Sequence, residues 1–272
     1  IAAPLIALIA VIAAVVLALK YFSSKYRAEA DALAKRRNKL LDDIGAGKGG
    51  SAETAKSDVT RELALRESAD SLGLMRVFGG SAEAGYTVDE DGKAQKSFLG
   101  TLANVTGGMD LFTGGLTSLV KATLVYAVTT DEAVQAMADE AMARQAIVDG
   151  IGTSIDTFAR LSESGQKFDD ALQDLNQIEF ADTEQGRRDK VAQQTEIAAG
   201  LDTSGLNQEY AQLQKVAVMA GESLSSLSET GLEEQFGKGS AELIAFQIAT
   251  RNVNKGFENL QKKTQLAREA FN

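Results

Sequence analysis

Lys48 stands in the glycine-rich run Gly45-Ala-Gly-Lys-Gly-Gly50, the kind of sequence whose backbone amides can cradle phosphate. The spacing fails the chemistry. A phosphate loop needs a glycine five positions before the glycine of its Gly-Lys-Ser/Thr, and that position holds Asp42, while Gly49 replaces the hydroxyl residue. A helical pattern also precedes the run where a strand is required, so it reads as a linker. Asp89-Glu-Asp91-Gly92 has the look of a calcium loop. With Gly92 in the sixth position, Thr87 falls first and Phe98 twelfth, and two carboxylate ligands are lost. It reads as a turn. Asp42-Asp43, Asp169-Asp170 and Glu233-Glu234 pair acids of the kind used in proton transfer, yet no apolar cleft surrounds them in the pattern to shift a pKa. They and Arg187-Arg188 read as solvated helix faces. Neither Cys nor His occurs, which removes thiol nucleophiles, imidazole bases and the usual nitrogen and sulfur metal ligands. The expectation is a protein that is not an enzyme, with no cofactor, no metal site and no small-molecule substrate.

The elements that carry these residues are helical by composition. Hydrophobic residues make up 44% of the 272, aromatics only 6%, and Pro occurs once, at Pro4, so helix formers dominate and breakers are scarce. The net charge of −10 argues against binding nucleic acid through its phosphates. The expected fold is mainly α: an N-terminal apolar, membrane-competent helix, then long helices in coiled-coil or antiparallel bundle packing, with one short β-hairpin. Its expected divisions are an apolar helix with a basic extension (1–44), a Gly-rich linker (45–50), a helix plus hairpin (51–97), a glycine-interrupted apolar segment (98–128) and a helical bundle (129–272).

Ile1 to Leu19 carries no charge. Nineteen helical residues at about 1.5 Å each reach roughly 28 Å, close to the thickness of a bilayer's hydrocarbon core. Lys20-Tyr21-Phe22 follows as an aromatic and basic boundary. Seven basic residues then oppose two acidic ones up to Leu41, a bias that would hold the C-terminal side in the cytoplasm. Leu5, Ile9, Ile12, Val16, Leu19, Tyr21 and Phe22 are the expected membrane-contacting residues. The chain opens on Ile with no basic n-region before the apolar run, which suggests part of a longer protein or a processed product.

Gly79-Gly80 closes a second helix, and Tyr86 to Lys93 predicts the hairpin, turning at Asp91-Gly92. Phe98 to Val128 is apolar but broken by glycines, Asp110 and Lys121, which fits a buried or mobile hairpin better than a membrane span. From Thr130 the apolar residues step by three and four. Leu206, Tyr210, Leu213, Leu224 and Leu227 form one stripe, and Val253, Phe257 and Leu260 belong to a second on the last helix. Such spacing predicts a helix-packing seam, with Gly150, Gly165, Gly200, Gly205, Gly231, Gly237 and Gly239 as punctuation. Self-association or protein partners through helices are expected.

The opening Ala3-Pro4-Leu5-Ile6-Ala7-Leu8-Ile9-Ala10-Val11-Ile12 and its continuation to Lys20-Tyr21 resemble the hydrophobic segments of phage tail tape measure proteins. The Ala/Gln/Glu-rich helices that follow are similar in composition. The resemblance implies a rod-like virion component that sets tail length and is expelled at infection, its apolar segments entering the host membrane to help DNA through. Two rival readings stand beside it. One is a single-span membrane protein with a helical partner-binding domain and residues 20 onward in the cytoplasm. The other is a helical pore-forming or secretion-system component using Phe98–Val128.

Overall fold

A computed structural model describes residues 2–48, 52–72, 86–88, 94–96 and 131–271. Side chains are described from Leu17 onward, except for those of residues 19, 67, 70–72, 86–88, 94–96, 131, 133, 134, 137, 138, 141 and 271. The protein is mainly α. Its described elements are α1 (Ala2–Gly45), α2 (Ala52–Leu72), β1 (Tyr86–Val88), β2 (Ala94–Lys96), α3 (Asp131–Gln177), α4 (Glu184–Gly200), α5 (Leu206–Ala220), α6 (Glu229–Phe236) and α7 (Ala241–Phe271). The strands pair antiparallel, Tyr86 opposite Lys96 and Val88 opposite Ala94. The expected Asp91-Gly92 turn and the whole of Phe98–Val128 lie outside the described residues.

The chain divides into two compact units: Ile1–Ala32 with Arg61–Ala146, and Leu33–Thr60 with Ile147–Asn272. In the first, α1 and α2 run antiparallel. Ser23 Oγ donates to Ala69 O at 3.0 Å, and further along α1 Asp31 meets Arg66 at 2.6 Å. Small buried residues, Ala30 and Ala69, let the two helices approach, and the buried Glu62 is met from its own helix by Arg66 at 3.5 Å. α1 runs unbroken from Ala2, so its helical backbone includes the apolar run, and no proline follows Pro4 to stop it. Among the described residues, no helix is long and apolar enough to cross a membrane. The side chains of Leu5, Ile9, Ile12, Val16 and Leu19 lie outside the described residues. Tyr21 and Phe22 are exposed and pack edge to face on each other at 5.7 Å.

The second unit is built on three helical layers in sequence. α3 runs one way. α4 and α5 return along it as one broken helix, and α7 runs parallel to α3. The contacts fix this order. Gln212 on α5 reaches Ile147 O, Glu209 reaches Ser154, and Ser164 reaches Gly200 and Asp202 beyond α4, so numbers fall on one helix as they rise on the other. Asn252, Asn259 and Lys262 on α7 meet Ser154, Leu161 and Asp169 in rising order. The expected antiparallel packing therefore holds for α3 with α4 and α5, whereas α3 and α7 are parallel because two returns separate them.

Local chemistry sets the helix ends. Thr183 caps α4 by accepting from Gly186 N, Ser228 caps α6 at Gly231 N, and Ser240 does the same for Leu243 N at the start of α7. Gly205 opens α5 with φ 91°, a left-handed conformation that suits glycine. Gly150, Gly165 and Gly231 lie inside helices rather than between them. Apolar packing supplies the core. Ile147, Ile151, Ile155, Leu161, Val216, Ile244 and Ile248 are fully or almost fully buried, and Phe168, Ala198, Leu201 and Leu266 close the other end of the bundle. Within the same unit, Leu41, Ile44, Ala55 and Val59 add the ends of α1 and α2, pinned by Arg36–Asp58 at 3.1 Å and Lys56–Asp156 at 2.7 Å.

Candidate functional site

A line of buried polar side chains runs along the α3–α5–α7 bundle. Three backbone carbonyls of α3, those of Ile147, Ser154 and Leu161, are spaced by seven residues and so lie on one face. Each accepts a side-chain amide: Gln212 Nε2 at 2.8 Å, Asn252 Nδ2 at 2.7 Å and Asn259 Nδ2 at 3.0 Å. Asn259 Nδ2 also reaches Asp202 O at 3.2 Å, tying the break between α4 and α5 to the same spine. Glycines make room for two of the amides. A Cβ at Gly150 would collide with the Gln212 amide, and one at Gly165 would stand 2.8 Å from Asn259 Oδ1. Gly256 on α7 likewise admits Leu206 of α5, whose side chain occupies the space a Cβ would need.

Glu209 sits in the middle layer with no exposure to solvent. Ser154 Oγ donates to its Oε2 at 2.8 Å. Its other oxygen, Oε1, is buried without a hydrogen-bond partner, as are Asn252 Oδ1, Asn259 Oδ1 and Ser162 Oγ. Burial pushes the Glu209 carboxyl above the usual glutamate range. Asn252, Ser154, Thr157 and the positive charge of Arg160 oppose that push but do not cancel it. Arg160 is itself held by Asp202 at 2.8 Å and is about half exposed.

Two other surfaces offer less. A cleft of about 310 Å³ lies between Arg37, Leu41, Phe246 and Arg251. Its cations are already engaged, Arg251 with Asp42 at 2.8 Å and Arg37 with Asn38 at 3.1 Å, so it presents no free anion-binding fork. Among the described residues, no group of three or more acidic side chains is placed to hold a metal ion. Asp169 of the Asp169-Asp170 pair binds Lys262 at 2.7 Å, and Glu233 of the Glu233-Glu234 pair binds Lys238 at 3.2 Å, both at the surface.

The expected packing stripes fall on both sides of the surface. Leu213 is buried and Leu206, Leu227 and Val253 are partly buried, but Tyr210, Leu224, Phe257 and Leu260 are 41–49% exposed. On α7 the buried line is instead Ala245, Ile248, Asn252, Gly256, Asn259 and Leu266. Those residues step by three, four and finally seven, about one position round the helix from the apolar stripe. The polar spine is hidden from an apolar pattern for that reason, since small and amide residues form its seam. Its sequence signal was the heptad pair Asn252 and Asn259, with Gly256 between them.

In comparison with known proteins, no family model, curated protein or solved structure matches the chain.

Proposed function

We propose that the chain is a structural component of a phage tail, acting as a tape measure-like protein that sets tail length and assists DNA delivery through the host membrane. The observation that carries this reading is α1: one uninterrupted 44-residue helix that leads from an uncharged apolar run into a basic segment. Such a helix leads from a lipid-seeking end into a charged segment suited to water. The body is suited to assembly. Two further helices have 47 and 31 residues, and the apolar side chains left exposed on α5 and α7 offer surface for protein partners or self-association. Residues 1–19 would meet the host membrane when the tail is deployed. The net charge of −10 makes direct contact with nucleic acid unfavourable, so DNA would pass the protein without being bound by it.

A second reading, a single-span membrane protein with residues 20 onward in the cytoplasm, draws on the exposed Tyr21-Phe22 pair and the seven basic residues from Lys20 to Lys39. The two readings part in the virion. In the parent phage, an in-frame deletion within the helical region should shorten the tail, and a longer deletion should shorten it more. Purified particles should also contain the protein. Tails of unchanged length, or particles without the chain, would overturn the tape measure reading.

A further inference from the structure

We propose that the face of α1 just beyond its apolar run is a docking surface for anionic lipid headgroups, with Lys20 and Lys25 as the groups that hold their phosphates. Entry of residues 1–19 into a bilayer is the reading on which this rests, and the surface selects which bilayer is entered. α2 covers one side of this stretch of α1. Ser23, which donates to Ala69 O at 3.0 Å, and the fully buried Ala30 mark that side, seven residues apart and so on one face. The opposite side carries Leu17 and Tyr21, 67% and 66% exposed, and the exposed Lys20 and Lys25 flank that pair on either hand. An apolar line between two ammonium groups matches the boundary where acyl chains give way to headgroups.

Charge selects the occupant. From Ile1 to Ala28 the chain has three basic residues, Lys20, Lys25 and Arg27, and no acidic one, in a protein whose net charge is −10. Neither lysine has an ion-pair partner among the described residues. Lys25 lies about 7.5 Å past Lys20 along the helix, within the screening length of about 10 Å at 0.1 M salt. The first acid, Glu29, lies about 13.5 Å past Lys20, beyond that length. A headgroup layer at the end of the apolar run therefore meets both ammonium groups and no carboxylate. An acidic protein would offer the same charge, but no hydrocarbon for the uncharged run that leads into this face on the same unbroken helix.

The size of the selection follows from the surface potential. A basic residue close to an anionic leaflet strengthens binding about fivefold. Lys20 and Lys25 together should therefore favour an anionic over a zwitterionic bilayer by about 25-fold.

The test gives the full chain a choice. Phosphatidylcholine vesicles and sucrose-loaded vesicles rich in phosphatidylglycerol are mixed in one tube with the protein and then separated by density. The wild type should gather on the anionic vesicles by about 25-fold. The double variant Lys20→Gln with Lys25→Gln should bring the ratio to within about fivefold of equality. Salt at about 1 M, which cuts the screening length to about 3 Å, should do the same to the wild type. Lys20→Arg with Lys25→Arg keeps the charge and should keep the preference. Urea unfolding of the second unit, which holds neither lysine, should be the same in all three proteins. An even split of the wild type, a preference that K20Q/K25Q retains in full, or one that K20R/K25R loses, would overturn the proposal and leave membrane entry standing. A wild-type chain found with neither vesicle, as an acidic protein partner would require, overturns both.

Discussion

Gly150 and Gly152 lie two residues apart inside α3, and opposite responses are expected from them. In an exposed helix interior, replacing glycine by alanine stabilises by about 0.5–1 kcal/mol, because the unfolded chain has less freedom to lose. At Gly152 nothing beyond its chain neighbours and the backbone of its own helix lies within 4 Å of the added Cβ, so G152A should show that gain. At Gly150 the Cβ would collide with the Gln212 amide, which is buried and bonded to Ile147 O. Displacing it leaves a buried amide unpaired, at a cost of about 1–3 kcal/mol that outweighs the helix term. G150A should therefore be less stable than the wild type by about 1 kcal/mol. Urea denaturation of the two variants side by side checks both signs. Two stabilised variants would show that the amide spine contributes nothing at this rung.

At the scale of the element, the last helix presents two lines with the same 3-4 spacing. The apolar line, Val253, Phe257 and Leu260, was the visible one in the sequence, and the helix itself was legible from it. What the spacing does not say is which of two neighbouring lines turns inward. Close approach decides it. Leu206 enters the space over Gly256, and the amides of Asn252 and Asn259 find carbonyls on α3, which large side chains at those positions would block. Ile248, fully buried on the inner line, should lose about 2–5 kcal/mol on substitution by alanine. Phe257→Ser and Leu260→Ser, on the exposed line, should change the stability of the isolated chain by no more than about 0.5 kcal/mol. Asn259→Ala removes the bonds to Leu161 O and Asp202 O together and should cost about 1–3 kcal/mol. If denaturation showed Phe257 to be the costly site and Ile248 the tolerant one, the buried line of α7 would have to be redrawn. Helix existence and the ends at Gly45 and Gly205 were readable from composition and glycine placement. The parallel course of α3 and α7 was not, because it depends on α4 and α5 returning as one broken helix, and their break at Leu201–Gly205 carries the same Gly signal as a full reversal.

At the scale of the molecule, the question is where the apolar start of α1 goes. An uncharged helix of this length has two physical refuges, hydrocarbon or a protein sheath, and each answers differently to charge. In hydrocarbon, an acidic residue at the centre of a span costs about 2.5–3.5 kcal/mol. Partition of the full chain into lipid vesicles should then fall on the order of 100-fold for Ile9→Asp or Ile12→Asp. Neither substitution should disturb the second unit, which contains none of residues 1–32. Its unfolding in urea therefore serves as the internal control. Vesicle flotation of the wild type and the two variants reads the outcome directly. Flotation lost in both variants, with unfolding unchanged, supports a membrane-entering segment. A wild-type chain that never floats with vesicles would place Ile1–Leu19 against protein instead, and the proposed delivery role would fall with it.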